Sequence, residues 1–355
     1  MTENLKKINF LMPAEWERHS AVWMAWPHDL TTFPPGHIEK VEERYVEIIK
    51  ALSDSEQVLL LVLNNEMQEK VSKLLKQNSV HLSKVTFHIT DYADVWLRDY
   101  GPMFVLDVKE KKLAWVKWQY DAYSKKFPAL LKDNQVFYNL KNEINAPILE
   151  AKMVLEGGSI EQNGKGTILT TEQCLLNSGR NSGLNKEQIE TNLKNFLGAS
   201  NIIWLKEGLK GDHTDGHIDD IAKFVSPDTI LVAFEENKEE ENYHILKKNF
   251  EDLEKISDQN GELFKLIKLQ VPHLRYDQNK PFEAGNIVPA SYTNFYIGNT
   301  VILVPIYNDP NDEQALKIIQ SYFPNRKVVG IDCRDLIYGG GALHCMTQQQ
   351  PEPLF

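Results

Sequence analysis

Short apolar runs alternate along the chain with longer amphipathic segments. The short runs are rich in β-branched and large apolar side chains, which is typical of buried strands. Gly, Pro and Ser are scattered between the runs rather than pooled, so no linker divides the chain, and no internal repeat is visible. The pattern predicts strands over residues 58–63, 103–106, 113–116, 166–170, 229–233 and 301–305.

The longer segments predict helices between these strands. Residues 37–52 carry apolar side chains every three or four positions, which places them on one helix face. The charged tract 235–242 is predicted to form a solvated loop and the start of a helix. The alternation of strands and helices indicates an α/β protein, which we interpret as a single domain over residues 1–355. Further helices are predicted over 66–77, 186–196, 242–256 and 312–322.

The composition narrows the class of protein. The chain has 355 residues, of which 42% are hydrophobic and 25% charged, and its net charge is −11. The negative charge argues against a nucleic-acid partner and is compatible with a small cationic substrate. The only cysteines are Cys174, Cys333 and Cys345, a set that matches no disulfide framework and indicates a reducing, cytoplasmic location. No signal peptide is seen at residues 1–10, and no apolar run is long enough for a membrane span.

Cys345 gives the strongest chemical signal. It ends the run GGGALHC at 339–345, whose glycines allow a sharp bend and let a ligand approach the sulfur. We therefore take Gly341 as a ligand-binding candidate and Cys345 as a candidate nucleophile. The alternative is a buried structural cysteine on the last strand. Cys174 and Cys333 are interpreted as packing residues.

A second cluster lies in the segment GDHTDGHIDD at 211–220. His213 and His217 would share one face of a helix and could bind a metal, but Gly216 weakens a helix here. In a strand, His217 and Asp219 would point to the same side and place a base and a carboxylate in one pocket. A metal site and a structural hydrogen-bonded cluster are the alternatives to this catalytic pair.

A third cluster is the segment DVWLRDYGP at 94–102. A planar guanidinium is held best by carboxylates that accept paired hydrogen bonds, with an aromatic face for stacking. Asp99 either holds such a group, pairs with Arg98 or caps a helix. Asp94 and Trp96 are further candidates for substrate binding.

Two weaker candidates complete the predicted site. Glu156 precedes Gly157 and Gly158 and can reach a ligand or orient a neighbour, although a pair of glycines is usually only a turn. Three tryptophans lie between residues 16 and 26. Most are interpreted as packing residues, and Trp26 is predicted to form a pocket wall.

Taken together, these stretches resemble the agmatine deiminase (agmatine iminohydrolase) family, relatives of the bacterial peptidylarginine deiminases in the pentein superfamily. The blocks of similarity extend from residue 12 to residue 351. The block GGGALHCMTQQQP at 339–351, combined with DGHID at 215–219, is highly specific. The resemblance implies a single catalytic domain with the pentein fold, a five-bladed α/β propeller with pseudo-fivefold symmetry and a central active site. It also suggests a homo-oligomer.

The resemblance further implies a reaction and its residues. Cys345 corresponds to the nucleophile, His217 to the general acid and base, and Asp99 and Asp219 to the carboxylates that grip the guanidinium. Glu156 corresponds to a position that borders the site. The implied reaction converts agmatine and water to N-carbamoylputrescine and ammonia, a step of putrescine and polyamine biosynthesis, through an amidino-cysteine intermediate. No metal or organic cofactor is implied.

The chain departs from the family pattern where the pocket for the aminobutyl tail would be shaped. An Asn-Ala-Trp-Gly-Gly-Lys-like stretch is common there, whereas residues 120–126 read YDAYSKK. Ala342 and Leu343 also stand where Asn-Ile is common. Another small guanidine, or a peptidyl arginine, is therefore an alternative substrate.

Three rival functions remain open from the sequence. An amidinotransferase would share the fold and the covalent intermediate but pass the amidino group to an amine. A metal-dependent hydrolase would use His213, His217 and Asp219. A silent binding protein on the same scaffold would have no need for the intact set of Cys345, His217, Asp219 and Asp99.

Overall fold

The computed structural model describes residues 10–276 and 286–353 of the chain. Every strand predicted from the apolar runs is confirmed, with bounds that differ by a few residues. The prediction that residues 1–10 form no signal peptide concerns residues that lie almost wholly outside the described part of the chain. The strands are β1 (Phe10–Leu11), β2 (His19–Ala25), β3 (Gln57–Val62), β4 (Val85–Ile89), β5 (Met103–Asp107), β6 (Lys112–Gln119), β7 (Ile148–Val154), β8 (Glu161–Gln162), β9 (Thr167–Thr171), β10 (Asn201–Leu205), β11 (Ala222–Ser226), β12 (Thr229–Phe234), β13 (Lys265–Gln270), β14 (Tyr296–Ile297), β15 (Val301–Ile306), β16 (Lys327–Asp332) and β17 (Gln348–Pro351).

The predicted helices are also confirmed, and short helical turns that the periodicity did not predict lie between them. Turns of 3-10 type cover Leu82–Lys84, Pro128–Gln135, Gly157–Ser159, Ile218–Asp220 and Ile337–Gly339. The α-helical segments are α1 (Ile38–Ser53), α2 (Asn65–Gln77), α3 (Leu97–Tyr100), α4 (Ala122–Lys125), α5 (Val136–Asn139), α6 (Glu172–Leu175), α7 (Ser178–Asn181), α8 (Lys186–Leu197), α9 (Tyr243–Leu253) and α10 (Asp312–Tyr322).

Within the described residues, the strands form five separate sheets, whose orders are β1-β5-β6-β7, β10-β9-β8, β11-β12-β13, β14-β15-β16 and β17-β2-β3-β4. Every sheet contains an antiparallel pair followed by a parallel pair. Parallel neighbours need a long crossover, and helices such as α9 and α10 lie in these crossovers. The same combination of an antiparallel and a parallel strand pair therefore recurs in every sheet, although the amino-acid sequence shows no repeat.

The last described strand pairs with one of the first. Strand β17 lies antiparallel to β2, with Gln348 opposite Trp23. The indole Nε1 of Trp23 donates a hydrogen bond to Oε1 of Gln350 at 2.9 Å. Cys345, three residues before β17, is therefore anchored to the N-terminal part of the chain.

The apolar faces of these elements form three buried clusters among the described residues. Helix α1 illustrates the pattern, since the apolar side chains that predicted it, including Val41, Ile48 and Ile49, are fully buried. Among the described residues, no helix has the length and apolar composition that crossing a bilayer requires.

Candidate active site

Five short segments, each preceding a strand of a different sheet, together supply the site. Helix α3 precedes β5, the turn Gly157–Ser159 precedes β8, and the turn Ile218–Asp220 precedes β11. Asn294 precedes β14, and Cys345 precedes β17. Because each sheet contributes one segment, side chains far apart in the sequence meet in one place.

Cys345 lies in the turn before β17 rather than on the strand, and its residue is 8% exposed. Its sulfur lines a cavity of about 330 Å³. Nδ2 of Asn294 donates to the sulfur at 3.1 Å, and Oδ2 of Asp219 lies 3.8 Å from it. Burial raises the pKa of the Cys345 thiol well above its usual value, and the carboxylates of Asp219, Asp220 and Asp99 raise it further. The thiol is therefore neutral unless a cation comes close.

Gly341 allows the indole of Trp96 to approach the cysteine. A Cβ at position 341 would lie 2.6 Å from the Trp96 ring and 3.1 Å from Cβ of Cys345. Trp96, Gly341 and Cys345 all line the cavity. A side chain at 341 would thus push the ring away from the sulfur.

Three polar atoms of the predicted site converge on Gly158. A Cβ at this position would lie 2.5 Å from Nδ1 of His217, 3.0 Å from Oδ2 of Asp219 and 3.1 Å from Oδ1 of Asp99. The main-chain N–H of Gly158 donates to Oδ1 of Asp99 at 3.0 Å. Sequence reasoning singled out Glu156 in this segment and missed Gly158, although the glycine pair was the signal.

The strand geometry considered for His217 and Asp219 is wrong, since Ile218–Asp220 forms a 3-10 turn. A helix does not form either, because Oδ2 of Asp212 accepts hydrogen bonds from the main-chain N–H groups of Gly216 and His217 and Gly216 has a φ of +83°. The loop nevertheless buries His217 and Asp219 side by side.

The His217 ring faces the Asp99 carboxylate, with 3.8 Å between Nδ1 and Oδ1. Within the described part of the chain, neither of its ring nitrogens has a hydrogen-bond partner. Burial alone would lower the pKa of His217, but Asp99, followed by Cys174 and Glu156, raises it well above its usual value. The ring is therefore protonated near neutral pH and can act as an acid.

Asp99 is held by donors other than its sequence neighbour. Oδ2 accepts a hydrogen bond from the Tyr123 hydroxyl at 2.8 Å, in addition to the Gly158 contact at Oδ1. Arg98 turns away and donates to Oε1 of Gln349 at 2.8 Å, so the alternative of an Arg98–Asp99 pair is excluded. Burial raises the pKa of Asp99 to about 6, so this carboxylate is mostly ionised at neutral pH.

The Asp219 carboxylate uses only one of its oxygens within the described residues. Nδ1 of His344 lies 2.8 Å from Oδ2, whereas Oδ1 is buried without a partner. Burial would raise the pKa of Asp219, but the contact with His344 lowers it, so the group is ionised. The neighbouring Asp220 has a pKa well above its usual value because of burial and the Asp219 charge. Nδ2 of Asn294 donates to Oδ1 of Asp220 at 3.0 Å.

Asp94 and Trp96 form another part of the cavity lining. Oδ2 of Asp94 accepts hydrogen bonds from Oγ1 of Thr32 at 2.5 Å and from Nε1 of Trp96 at 3.0 Å. Burial raises the pKa of Asp94 to about 6. This carboxyl group therefore fixes the indole that forms the wall beside the sulfur.

Residues 123 and 126–130 form a further part of the cavity lining, and the backbone of the turn at 122–125 is unusual. Ala122, Tyr123, Ser124 and Lys125 all have φ between 58° and 64°, a region that disfavours side chains. This turn directs the Tyr123 hydroxyl to Asp99. Lys126, another lining residue, pairs with Asp215 and donates to the main-chain oxygen of His213 at 3.0 Å.

Four predicted residues are not part of the cavity lining: His217 and Asp219, which meet Asp99 at Gly158, and Glu156 and Trp26. The carboxylate oxygens of Glu156 lie 2.9 and 3.0 Å from Nε of Arg180, which also pairs with Asp215 at 3.1 Å. Trp26 is fully buried and donates to Oε1 of Glu42 at 3.2 Å. Sequence reasoning did not identify Arg180 or Asn294, since nothing local marks either residue.

One group among the described residues has the spacing of metal ligands, and it is not the set considered from the sequence. It consists of Glu156, Cys174 and His217, with donor atoms within 4.8 Å of one another. The Arg180 guanidinium already occupies Glu156, so a further cation is disfavoured there. Cys174, interpreted as a packing residue, is fully buried and lies beside the His217 ring.

Comparisons with known proteins find similarity to one family over nearly the whole chain. Residues 11–351 match the family model of the Porphyromonas-type peptidyl-arginine deiminases. A Legionella pneumophila (strain Paris) protein, named provisionally as an agmatine deiminase, is 37% identical over 98% of this chain and 97% of its own length. The structure of agmatine deiminase of Enterococcus faecalis superposes with a TM-score of 0.88 at 32% identity, covering 98% of this chain and 97% of that one. A C. jejuni agmatine deiminase gives a TM-score of 0.82 at 31% identity, covering 99% and 100%.

Proposed function

The chain belongs to the family of Porphyromonas-type peptidyl-arginine deiminases, and from this membership we propose that it is an agmatine deiminase. The proposed reaction hydrolyses agmatine to N-carbamoylputrescine and ammonia. The observation that carries the proposal is the meeting of His217, Asp99 and Asp219 at Gly158, with the sulfur of Cys345 3.8 Å from Asp219 and Cys345 lining the cavity together with Asp99. A nucleophile, an acid and base, and two carboxylates are the groups that covalent attack on a guanidinium requires.

In the proposed complex, the guanidinium lies between the carboxylates of Asp99 and Asp219. Both carboxylates are ionised near neutral pH, and Oδ1 of Asp219 has no partner among the described residues. A cation held there offsets the negative charges that raise the pKa of Cys345. The thiol then releases its proton to solvent, and a thiolate forms only when substrate is present.

The proposed chemistry proceeds in two halves. The thiolate adds to the guanidinium carbon, His217 donates a proton to a terminal nitrogen, and the carbon–nitrogen bond breaks to release ammonia. The amidino-cysteine that remains is attacked by water, which gives a proton to the now neutral His217. The carbon–sulfur bond then breaks, the proton of the new hydroxyl group passes to the departing sulfur, and the ureido product leaves the restored thiol. Proton transfer by one positioned group typically contributes about 10²–10⁴-fold.

The cavity suits a small guanidine with a cationic tail. Its volume of about 330 Å³ falls in the range of small-ligand sites. Asp29 and Asp94 add negative charge to the lining, and Trp96 adds an apolar face. These groups support a bound aminobutyl chain. The left-handed turn at 122–125 is the part of the wall that departs from the family pattern.

We further propose that the five sheets are the blades of a pentein propeller and that residues 1–355 form one catalytic domain. The recurrence of one antiparallel and one parallel pair in every sheet supports this arrangement. So does the supply of one site segment by each sheet. The cysteines are free and buried, which supports a reducing, cytoplasmic location.

Ammonia release by the purified protein tests the proposed function. Agmatine, free arginine and a peptidyl arginine are supplied side by side, and agmatine is expected to be the preferred substrate. Cys345→Ala should abolish turnover, while Cys333→Ala, the matched loss of a buried thiol away from the cavity, should retain it. Ammonia release by a folded Cys345→Ala variant would contradict the proposal. So would the absence of ammonia release when the native protein is given agmatine. Consumption of an added amine instead of water would identify an amidinotransferase.

A further inference from the structure

A buried chain of charged groups extends behind Asp219, and the proposed chemistry does not use it. Nδ1 of His344 lies 2.8 Å from Oδ2 of Asp219, and its Nε2 lies 2.9 Å from Oε2 of Glu15. The His344 and Glu15 side chains are 2% and 7% exposed. Ionised carboxylates only accept hydrogen bonds. The ring of His344 therefore lies between two hydrogen-bond acceptors, one at each of its nitrogens.

Glu15 is itself fixed on its far side. Oε2 accepts a hydrogen bond from Nζ of Lys223 at 2.7 Å, and Oε1 accepts one from the main-chain N–H of Ile297 at 2.8 Å. Burial would raise the pKa of Glu15, but Lys223 and His344 hold it well below its usual value. The imidazole of His344 therefore has a rigid, charged support at Nε2.

The contact between Nδ1 of His344 and Asp219 determines which oxygen of Asp219 is available to a ligand. Its Oδ2 is taken by His344, so its Oδ1 is the oxygen left without a partner among the described residues. A carboxylate free to rotate would offer either oxygen in several orientations. Held at one oxygen by the ring nitrogen of His344, it presents the other in a single direction.

We propose that His344, braced by Glu15, is a positioning residue that orients the Asp219 carboxylate so that Oδ1 receives a guanidinium nitrogen. The inference rests on the proposed function, because it assigns a substrate partner to that oxygen. The sequence neighbour of the nucleophile thus acts through Asp219 rather than on the reacting atoms.

Two amide substitutions separate the two ring contacts. The side-chain nitrogen of asparagine is as many bonds from Cα as Nδ1 of histidine, and that of glutamine as many as Nε2. His344→Asn therefore keeps a donor for Asp219, and His344→Gln keeps one for Glu15. Agmatine affinity is measured by calorimetry in the Cys345→Ala background, and kcat/KM for ammonia release in the otherwise native chain.

His344→Gln should weaken agmatine binding and lower kcat/KM by about tenfold or more, which corresponds to the loss of one charge-assisted hydrogen bond. The agmatine affinity and kcat/KM of His344→Asn should stay within about threefold of the native values. The asparagine nitrogen still donates to Asp219 and keeps much of the free energy of that hydrogen bond. Thermal unfolding of both variants should show similar losses of stability. Equal affinity of the two variants, whether both lose it or both keep it, overturns the inference.

A second buried histidine–carboxylate pair provides the matched control. Nδ1 of His19 lies 3.3 Å from Oε2 of Glu56, with both side chains buried and outside the cavity lining. His19→Gln should lower stability and leave agmatine affinity unchanged. If His344→Gln does not fold, Glu15→Gln replaces it, and unchanged affinity in that folded variant overturns the inference.

The outcomes also separate this inference from the proposed function. A native protein that deiminates agmatine, with a His344→Gln variant that does so equally well, overturns only the positioning role. A native protein that acts on none of the three guanidines overturns the proposed function, and the positioning role is overturned with it.

Discussion

Tyr123 and Gly158 together fix the Asp99 carboxylate. The tyrosine hydroxyl donates to Oδ2 at 2.8 Å and the glycine N–H to Oδ1 at 3.0 Å. With one donor on each oxygen, the plane of the carboxylate is set, and Oδ1 faces His217. Tyr123 lies in the stretch where tryptophan is common in the family, so this hydroxyl contact belongs to the departure of this chain from the pattern.

Tyr123→Phe should lower kcat/KM for agmatine by about tenfold, because one buried carboxylate oxygen loses its donor. Steady-state ammonia release measures the effect, and the expected change in the free energy of unfolding is within about 1.5 kcal/mol. Tyr307→Phe is the control, since its hydroxyl donates to a main-chain oxygen, that of Ser291, away from the cavity. Equal activity of Tyr123→Phe and the native protein would rule out the role of this contact.

At the scale of single residues, the sequence allowed prediction of those whose chemistry can be recognised from a local motif. Cys345, Asp99 and the His217–Asp219 pair were predicted from their neighbours and the resemblance, and the structure places them together. Asn294 was not predicted, because its contact with the sulfur joins residues 51 positions apart. No spacing rule within one segment reports such a contact.

The turn at 122–125 stands out among the elements. Four successive residues without a glycine occupy the left-handed region, at a cost of roughly 1–2 kcal/mol per residue. The family pattern often has two glycines in this stretch, which would adopt this backbone without strain. Asp121 compensates in part, since its Oδ1 accepts a hydrogen bond from the main-chain N–H of Ser124 at 2.9 Å.

Lys125→Gly should therefore stabilise the protein, although glycine is usually destabilising. Lys125 is exposed and has a φ of 64°. Relief of this strain, less the greater freedom of glycine in the unfolded chain, should raise the free energy of unfolding by roughly 0.5–1 kcal/mol. Chemical denaturation measures the change.

The control for this prediction is another exposed lysine on regular backbone. Lys73 lies inside helix α2, and Lys73→Gly should lower the free energy of unfolding by about 1 kcal/mol. A loss of stability in both variants would show that the turn at 122–125 is not strained.

Helices and strands were predictable wherever apolar spacing reports burial, as in α1 and β3. The short turns that carry the site residues were not predictable, since they are too short to show a periodic spacing of apolar residues. Ile218–Asp220 was considered as part of a strand because His217 and Asp219 alternate with an apolar residue. The side chain of Asp212 instead accepts the main-chain N–H groups of Gly216 and His217 and closes a loop. Local hydrogen bonds that an aspartate side chain accepts from main-chain N–H groups often override such patterns.

Across the whole molecule, the site is the place where five segments meet, one from each sheet. The sequence indicated an α/β chain with widely spaced site residues, and the resemblance supplied the expectation of a propeller. The recurring unit was invisible because the sheets share topology but not residues, and the pairing of β17 with β2 joins residues 327 positions apart. Topology of this kind follows from packing that no local segment encodes.

Ending the chain after Thr347 should abolish activity and lower the thermal stability, although Cys345 is kept. The variant loses the pairing of β17 with β2, and it leaves the buried Arg98 without Gln349. We expect the midpoint of thermal unfolding to fall by roughly 10 °C or more. Ending the chain after Pro351, which keeps β17, is the control and should preserve both properties. A folded, active variant that ends at Thr347 would show that the pairing is dispensable.

The same pairing has a consequence for the protein during its synthesis. Ribosomes make β2 long before β17, so the nascent chain carries an open strand edge through most of translation. Contacts this distant in sequence also slow folding. The nucleophile is placed only when this last sheet closes, so incomplete chains are inert towards cellular guanidines while their exposed edge is a target for chaperones.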